Sequence, residues 1–304
     1  MEKQHSDSVI SIENDSFSVG VNKTGGEICS FYSKKSDVEY IWSGDPKVWA
    51  STAPVLFPII GVLKDGFFLY KGKKYYLPKH GFIRNSECLV LESKSINSIH
   101  LSLVSNNETK EIYPFDFKFD LIFVLSENTL EVKHHVENLS DERPLLFSLG
   151  GHPALKCPFS EKHSYEDYFI DFEEQESVNR WSVLEDGTIG SIQKPFLEKD
   201  DRINLTHELF KDDALIFKDL KSRKATLKNK LNSHEIEVSF NDFEYLGIWA
   251  KTDGDFVCIE PWLGISDSSD SKNRLEEKEG ILSLGPRNKF NASYSIKIKE
   301  GDSS

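Results

Sequence analysis

Methionine and cysteine are scarce in this chain of 304 residues, which contains one Met and four Cys. The cysteines are widely scattered, and none forms a CxxC pair or stands at metal-ligand spacing from a histidine. A disulfide framework needs denser cysteine in a shorter chain, so that class of secreted fold is excluded. We expect reduced, mostly buried thiols at Cys29, Cys88, Cys157 and Cys258.

Long apolar runs are absent as well. No stretch approaches the roughly 18 apolar residues of a membrane-spanning helix, and residues 1–15 are polar, unlike a signal peptide. The chain is acidic, with a net charge of -13, so its overall field repels nucleic acid and anionic membranes. These features predict a cytoplasmic protein that binds neither nucleic acid nor a membrane.

Familiar cofactor motifs are also missing. The sequence contains no HExxH, no P-loop and no GxGxxG, so we expect no catalytic metal, nucleotide or nicotinamide. His134 and His135 would point to opposite faces of an extended strand, which prevents them from chelating one metal together. No GxSxG elbow is present, and this weakens a serine hydrolase interpretation.

Aromatic residues are abundant, with 21 Phe, 10 Tyr and 5 Trp. Together with β-branched residues they recur in short runs separated by turn residues. Thr129–Asn138 begins with the period-of-two alternation of a half-buried strand. Polar clusters at Ser105–Glu108 and Ser126–Asn128 predict hairpin turns, and only two short helical turns are indicated, within Asp201–Phe210 and Asn273–Lys278.

The spacing of these runs predicts the fold class. Strands recur about every 8–12 residues, which is typical of a large antiparallel sandwich or barrel. No linker, internal repeat or low-complexity block divides the chain. We therefore expect one all-β domain over residues 1–304.

Four segments place polar groups within apolar or turn-rich sequence. In the first, Lys79–Arg84, His80 follows a turn at Pro78 and precedes a glycine, and Arg84 lies four residues on. An imidazole that donates and accepts, together with the five donors of Arg, could hold a polyhydroxylated ligand or stabilise an oxyanion. The alternative is a surface loop with two ordinary polar residues.

The second and third segments carry candidate proton-transfer groups. An apolar strand ends at Gly150-Gly151, where glycine allows close approach of a ligand, and then presents His152. The pKa of free histidine, about 6.5, suits a general acid near neutral pH. The apolar strand Phe256–Trp262 carries Glu260, whose pKa burial would raise into the range of a better base. A structural histidine and a strand-edge glutamate are the alternatives.

The fourth segment, Phe210–Phe217, places Asp213 at the mouth of a strand. Its carboxylate could accept hydrogen bonds from sugar hydroxyls, or it could simply stabilise a turn. Trp249, within Leu246–Lys251, is a further candidate for the lining of the same pocket, with core packing as the alternative.

Taken in order, the HGFxR element at His80, the GGHPA element at Gly150 and the IEPW element at Ile259 resemble the aldose 1-epimerase, or galactose mutarotase-like, family. The match is strongest with its bacterial subgroup related to LacX, and it extends over nearly the whole chain, including Pro54–Gly61. The resemblance implies a large antiparallel β-sandwich of the supersandwich type. It also implies interconversion of the α and β anomers of a small sugar substrate, an aldose, without a cofactor.

The resemblance further implies a role for each site residue. Glu260 would take the proton from the C1 hydroxyl, and His152 would protonate the ring oxygen. His80 would hydrogen-bond the sugar and polarise the ring oxygen. Arg84 and Asp213 would bind hydroxyls.

One departure from the family pattern concerns the substrate. Galactose mutarotases carry an Asn-Arg pair upstream of the first histidine, where this chain reads Phe57–Gly61. The choice between a free hexose and a hexose 6-phosphate therefore stays open, as does a carbohydrate-binding protein without turnover. A lyase or glycosidase would need a second carboxylate or a tyrosine base.

Overall fold

Strands dominate residues 8–160 and 162–301, which are the residues that the computed structural model describes. Pairings between the named strands of this part are all antiparallel. In chain order the strands are β1 (Val9–Glu13), β2 (Phe17–Asn22), β3 (Ile28–Ser33), β4 (Val38–Glu39), β5 (Val55–Leu56), β6 (Phe67–Tyr70), β7 (Lys73–Tyr76), β8 (Val90–Lys94), β9 (Ser98–Val104), β10 (Phe117–Ser126), β11 (Thr129–Asn138), β12 (Leu145–Phe147), β13 (Leu149–Gly151), β14 (Ala154–Lys156), β15 (Tyr168–Val183), β16 (Ile189–Asn204), β17 (Leu215–Phe217), β18 (Lys224–Asn229), β19 (Glu235–Ser239), β20 (Tyr245–Trp249), β21 (Phe256–Leu263), β22 (Leu282–Leu284) and β23 (Lys289–Lys299).

These strands form one large sheet, one small sheet and two ribbons. The small sheet contains β1–β4, and the ribbons pair β6 with β7 and β12 with β22. The fifteen-stranded sheet has the order β5-β13-β21-β20-β17-β15-β18-β19-β23-β11-β10-β9-β8, with β14 beside β21 and β16 beside β15. Phe31 of the small sheet and Phe119 of the large sheet belong to the same hydrophobic core. The predicted all-β, large antiparallel architecture is confirmed.

Alternation in the sequence corresponds to alternation in burial. Along β11, Leu130, Val132 and Val136 are buried, while their odd-numbered neighbours are partly exposed. The predicted turn at Ser126–Asn128 joins this strand to β10. Each fully buried Val, Leu or Phe stabilises the fold by roughly 1.5–3 kcal/mol, so the register that buries these side chains is strongly preferred.

Helices are few and short in the described part of the chain. They are α1 (Asn107–Ile112) and the 3₁₀ turns Lys64–Gly66, Ile83–Asn85, Tyr165–Asp167, His207–Phe210 and Leu275–Glu277. The last two lie in the predicted helical segments, although Asp201–Asn204 belongs to β16 instead. The hairpin turn predicted at Ser105–Glu108 is wrong. A capping box starts α1 there, because the side chains of Asn106 and Thr109 each accept from the other's backbone N–H.

Two sequence expectations concern membranes and thiols. None of the helices within the described ranges has the length and apolar character needed to cross a bilayer. All four cysteines are free. Cys157 and Cys258 are buried as expected and Cys29 is partly buried, but Cys88 is exposed because it lies just beyond the surface turn Ile83–Asn85.

Candidate active site

A cleft of about 300 Å³ opens at the edge of the large sheet where β13, β17, β20 and β21 lie side by side. Indole rings and small residues form much of its wall. The side chains proposed from the sequence come together here: His80, Arg84, His152, Asp213, Trp249 and Glu260 all line the cleft.

A carboxyl group and an imidazole lie in contact at the base of the cleft. Glu260 is 1% exposed on β21, and its Oε2 lies 3.2 Å from Nε2 of His152. Burial raises the pKa of Glu260 well above its usual value, although the positive charge of Lys79 opposes the shift. Burial, with the charge of Arg84 adding to it, lowers the pKa of His152 to about 3. Both shifts favour the uncharged forms of the pair, a protonated carboxyl and a neutral imidazole.

Backbone and aromatic contacts fix the position of His152. Its N–H donates to the carbonyl of Pro54 at 3.1 Å, and its ring stacks on Trp49 with centroids 5.1 Å apart. The preceding residue, Gly151, packs against Tyr294, and a Cβ at that position would lie 2.6 Å from the tyrosine ring. The glycine thus lets β13 approach the core closely enough to place the imidazole over β21.

His80 is held as a neutral hydrogen-bond donor. Its backbone has a φ of 66°, in the left-handed region, and its N–H donates to the carbonyl of Gly61 at 2.7 Å. The N–H of Gly61 donates in turn to Nδ1 of His80 at 3.1 Å, so the neutral ring carries its proton on Nε2. Burial lowers the pKa of His80 well below its usual value, and the nearby His152 adds to the effect. The Nε2–H is therefore available to a ligand.

Three further side chains complete the polar and aromatic lining. Arg84 donates from Nη2 to Ser51 at 3.1 Å, and burial lowers its pKa. Asp213, with a φ of 78°, accepts from the N–H of Ala214 through Oδ1 and faces the cleft. Trp249 is the last residue of β20, and its ring meets that of His152 edge to face with centroids 5.8 Å apart.

Comparisons with known proteins identify the family of the chain. The model of the aldose 1-epimerase family matches residues 8–274. The chain belongs to that family. The plasmid and chromosomal LacX proteins of Lactococcus lactis subsp. lactis are each 32% identical to this epimerase family member over 297 residues, covering 95% of this chain and 99% of the relative.

Similar solved structures also come from galactose mutarotase-like proteins. A galactose mutarotase related enzyme from Lactobacillus acidophilus superposes with a TM-score of 0.91 at 36% identity, covering 96% of this chain and 97% of its own. A galactose mutarotase-like protein from Lactobacillus casei gives 0.89 at 26% identity, with coverages of 96% and 100%. As a member of this family the protein is an isomerase of the epimerase class.

Sequence reasoning missed several residues that line the cleft of this epimerase, among them Trp49 and Ser266. Trp49 stacks on the ring of His152. The only feature of the sequence that could have indicated this role is a tryptophan in an otherwise polar turn segment. Ser266 accepts from the N–H of Val62 and donates to the carbonyl of Gly187, both at 2.8 Å. No local pattern marks this serine, because its partners are distant in the sequence.

A larger chamber of about 770 Å³ adjoins the cleft. The residues shared by their walls are Lys79, Val183, Asp213, Ala214, Trp249 and Lys251. The charged residues of the chamber are Lys79, Arg180, Lys194, Lys211 and Lys251 together with Glu185, Asp212 and Asp213. Cations thus outnumber anions at this point on the surface of a protein whose net charge is -13.

Proposed function

We propose that the protein is an aldose 1-epimerase that interconverts the anomers of a hexose through acid–base ring opening at Glu260 and His152. The observation that carries the proposal is the buried contact of 3.2 Å between Oε2 and Nε2, at the base of a cleft of about 300 Å³. Mutarotation needs one proton acceptor and one proton donor beside the anomeric centre, and this pair supplies both without a cofactor.

Ring opening starts once the carboxyl of Glu260 has lost its proton. Sugar hydroxyls and the positive charges of Lys79 and Arg84 stabilise the carboxylate, and the proton crosses the 3.2 Å contact to His152. Glu260 then takes the proton of the C1 hydroxyl, a C1 carbonyl forms, and the C1–O5 bond breaks as O5 receives the proton of the imidazolium. After ring opening the carboxyl again carries the proton.

Ring closure inverts the anomeric carbon. Rotation about C1–C2 presents the other face of the carbonyl to O5. As O5 attacks, its proton returns to His152, and Glu260 protonates the carbonyl oxygen. His80 donates from Nε2 to the ring oxygen throughout, while Trp49 and Trp249 cover the apolar face of the sugar and exclude water.

The test is the rate of α-to-β equilibration of glucose and galactose, followed by NMR or polarimetry. Glu260→Gln keeps the shape of the side chain but removes the base, so we expect the catalysed rate to fall roughly 10²–10⁴-fold while sugar binding persists. His152→Asn should give a similar loss. The exposed Glu208→Gln variant serves as a matched control with full activity. Full activity of Glu260→Gln would refute the mechanism, and binding without acceleration by wild type would indicate a carbohydrate-binding protein.

A second candidate substrate is a hexose 6-phosphate, favoured by the surplus of cations in the adjoining chamber. Lys79 and Lys251 lie in the walls shared by the cleft and the chamber, where they could pair with a phosphate on the sugar. The phosphate ester would then show the higher kcat/KM, with an advantage that shrinks as salt is added. Lys251→Gln would raise KM for glucose 6-phosphate and leave KM for glucose unchanged. Equal kcat/KM for both sugars would exclude this candidate.

A further inference from the structure

A third potential ligand side chain lies beside the acid–base pair. Cys258 and Glu260 are two residues apart on β21, so their side chains project from the same face of the strand. His152 reaches the same point from the end of β13. The Cys258 Sγ, a carboxylate oxygen of Glu260 and a ring nitrogen of His152 all lie within 4.8 Å of one another.

These three groups are buried and have unused bonding capacity. Cys258, Glu260 and His152 are 0%, 1% and 7% exposed. Apart from its 3.2 Å contact with Nε2 of His152, Oε2 of Glu260 has no hydrogen-bond partner within the described part of the chain, and neither does Nδ1 of His152. Buried polar atoms usually find partners, so the site has the capacity to accept a further atom.

The donor set suits one class of ligand. Thiolate, imidazole and carboxylate are the groups that bind Zn²⁺, and three protein ligands with a fourth position open to a cleft is a common arrangement for that ion. Because the three atoms lie within 4.8 Å of one another, small side-chain shifts would bring them to Zn–ligand distances of roughly 2.0–2.3 Å. Lys79 and Arg84 also face this point, and their positive charges keep the affinity moderate and the binding reversible.

We propose that Cys258, His152 and Glu260 form an inhibitory site for a thiophilic divalent cation, with Zn²⁺ as its representative, which binds in place of the sugar. As the cation binds, the S–H bond of Cys258 and the O–H bond of the Glu260 carboxyl break, and both protons pass to solvent. The cation also occupies the lone pairs of His152 and Glu260 on which proton transfer depends. The inhibitory consequence rests on the proposed function, whereas metal binding itself does not.

Metal binding is tested with Co²⁺ as an optical probe on the full chain. Wild type should show a thiolate-to-cobalt charge-transfer band in the near ultraviolet that Zn²⁺ displaces. Cys258→Ser and Cys258→Ala should both lose the band, whereas Cys88→Ser, which alters the exposed cysteine, should retain it. No such band in wild type, or an undiminished band in the Cys258 variants, would overturn the proposal.

Inhibition is tested by titrating Zn²⁺ into the mutarotation assay, with a chelator to show reversal. Cys258→Ala should keep the wild-type rate without metal and require on the order of 100-fold more Zn²⁺ for half inhibition, since loss of an outer partner alone costs 10–100-fold in affinity. Equal sensitivity of Cys258→Ala and wild type would overturn the proposal. If wild type had no turnover, the proposed function would fail, and the cobalt band would still decide whether the cation site exists.

Discussion

Replacing Lys278 with methionine is expected to destabilise the protein by about 3–5 kcal/mol, because it leaves a buried carboxylate without its cation. The Lys278 side chain is 2% exposed and its partner Asp267 is 3% exposed. Nζ donates to Oδ1 of Asp267 at 2.8 Å and to the carbonyl of Ile265 at 2.6 Å. Methionine keeps the aliphatic stem, so the loss reports on the charge and its hydrogen bonds.

The same substitution should affect the cleft, because Asp267 holds together two segments next to it, one at residues 62–64 and one at Ile189. Its N–H donates to the carbonyl of Val62 at 2.9 Å, and its carbonyl accepts from Ile189 at 2.8 Å. Its Oδ2 accepts from the N–H of Lys64 at 3.0 Å. The neighbouring Ser266 lines the cleft. We therefore expect the sugar KM to rise in Lys278→Met at temperatures where the variant is still folded.

Urea unfolding at pH 7 measures the loss in free energy of unfolding of Lys278→Met. The double variant Lys278→Met/Asp267→Asn is measured beside it. Asn keeps an acceptor for Lys64 but carries no charge, so the double variant should recover at least half of the lost stability. Arg287→Met breaks an exposed pair with Asp141 and should show no measurable loss. A cost below about 1 kcal/mol for Lys278→Met, or a double variant less stable than the single one, would refute the reasoning.

Two further predictions concern residues packed around the core of the large sheet. Burial lowers the pKa of His134 to about 3, so between about pH 6.5 and 3 only the unfolded chain holds its proton, and stability falls as the pH falls. His134→Leu should reduce the slope of the free energy of unfolding against pH by roughly 1 kcal/mol per pH unit, measured by urea titrations from pH 7 to 4. An unchanged slope would show that His134 does not cause this pH dependence. Gly151→Ala should lower kcat more than it raises KM, since the new Cβ would meet Tyr294 at 2.6 Å and displace His152. The double variant Gly151→Ala/Tyr294→Leu should restore part of the rate. If the rate did not recover, the contact with Tyr294 would not be the cause of the loss.

Local patterns predicted strands best where one face of the strand is buried. β11 alternates because each second side chain enters the core. In the hairpin formed by β15 and β16, residues 173–175 and 191–195 are consecutively exposed, so the charged and polar sequence there shows no strand period. α1 was mistaken for a turn, since Asn106 and Thr109 are common in turns and only their reciprocal hydrogen bonds reveal a helix start.

Some features of the candidate site could likewise be predicted from local sequence, and others could not. A glycine-histidine turn, a glutamate in an apolar strand and a histidine after a proline turn are local features, so His152, Glu260 and His80 could be proposed from neighbouring residues alone. That they meet, with Nε2 and Oε2 3.2 Å apart, depends on the pairing of β13 with β21. The directions of the pKa shifts of Glu260 and His152, and the position of Cys258 within 4.8 Å of both, were decided only by the tertiary structure. Side-chain periods arise from local chain geometry, whereas distances between remote residues, and the burial that shifts a pKa, arise from the packing of the whole fold.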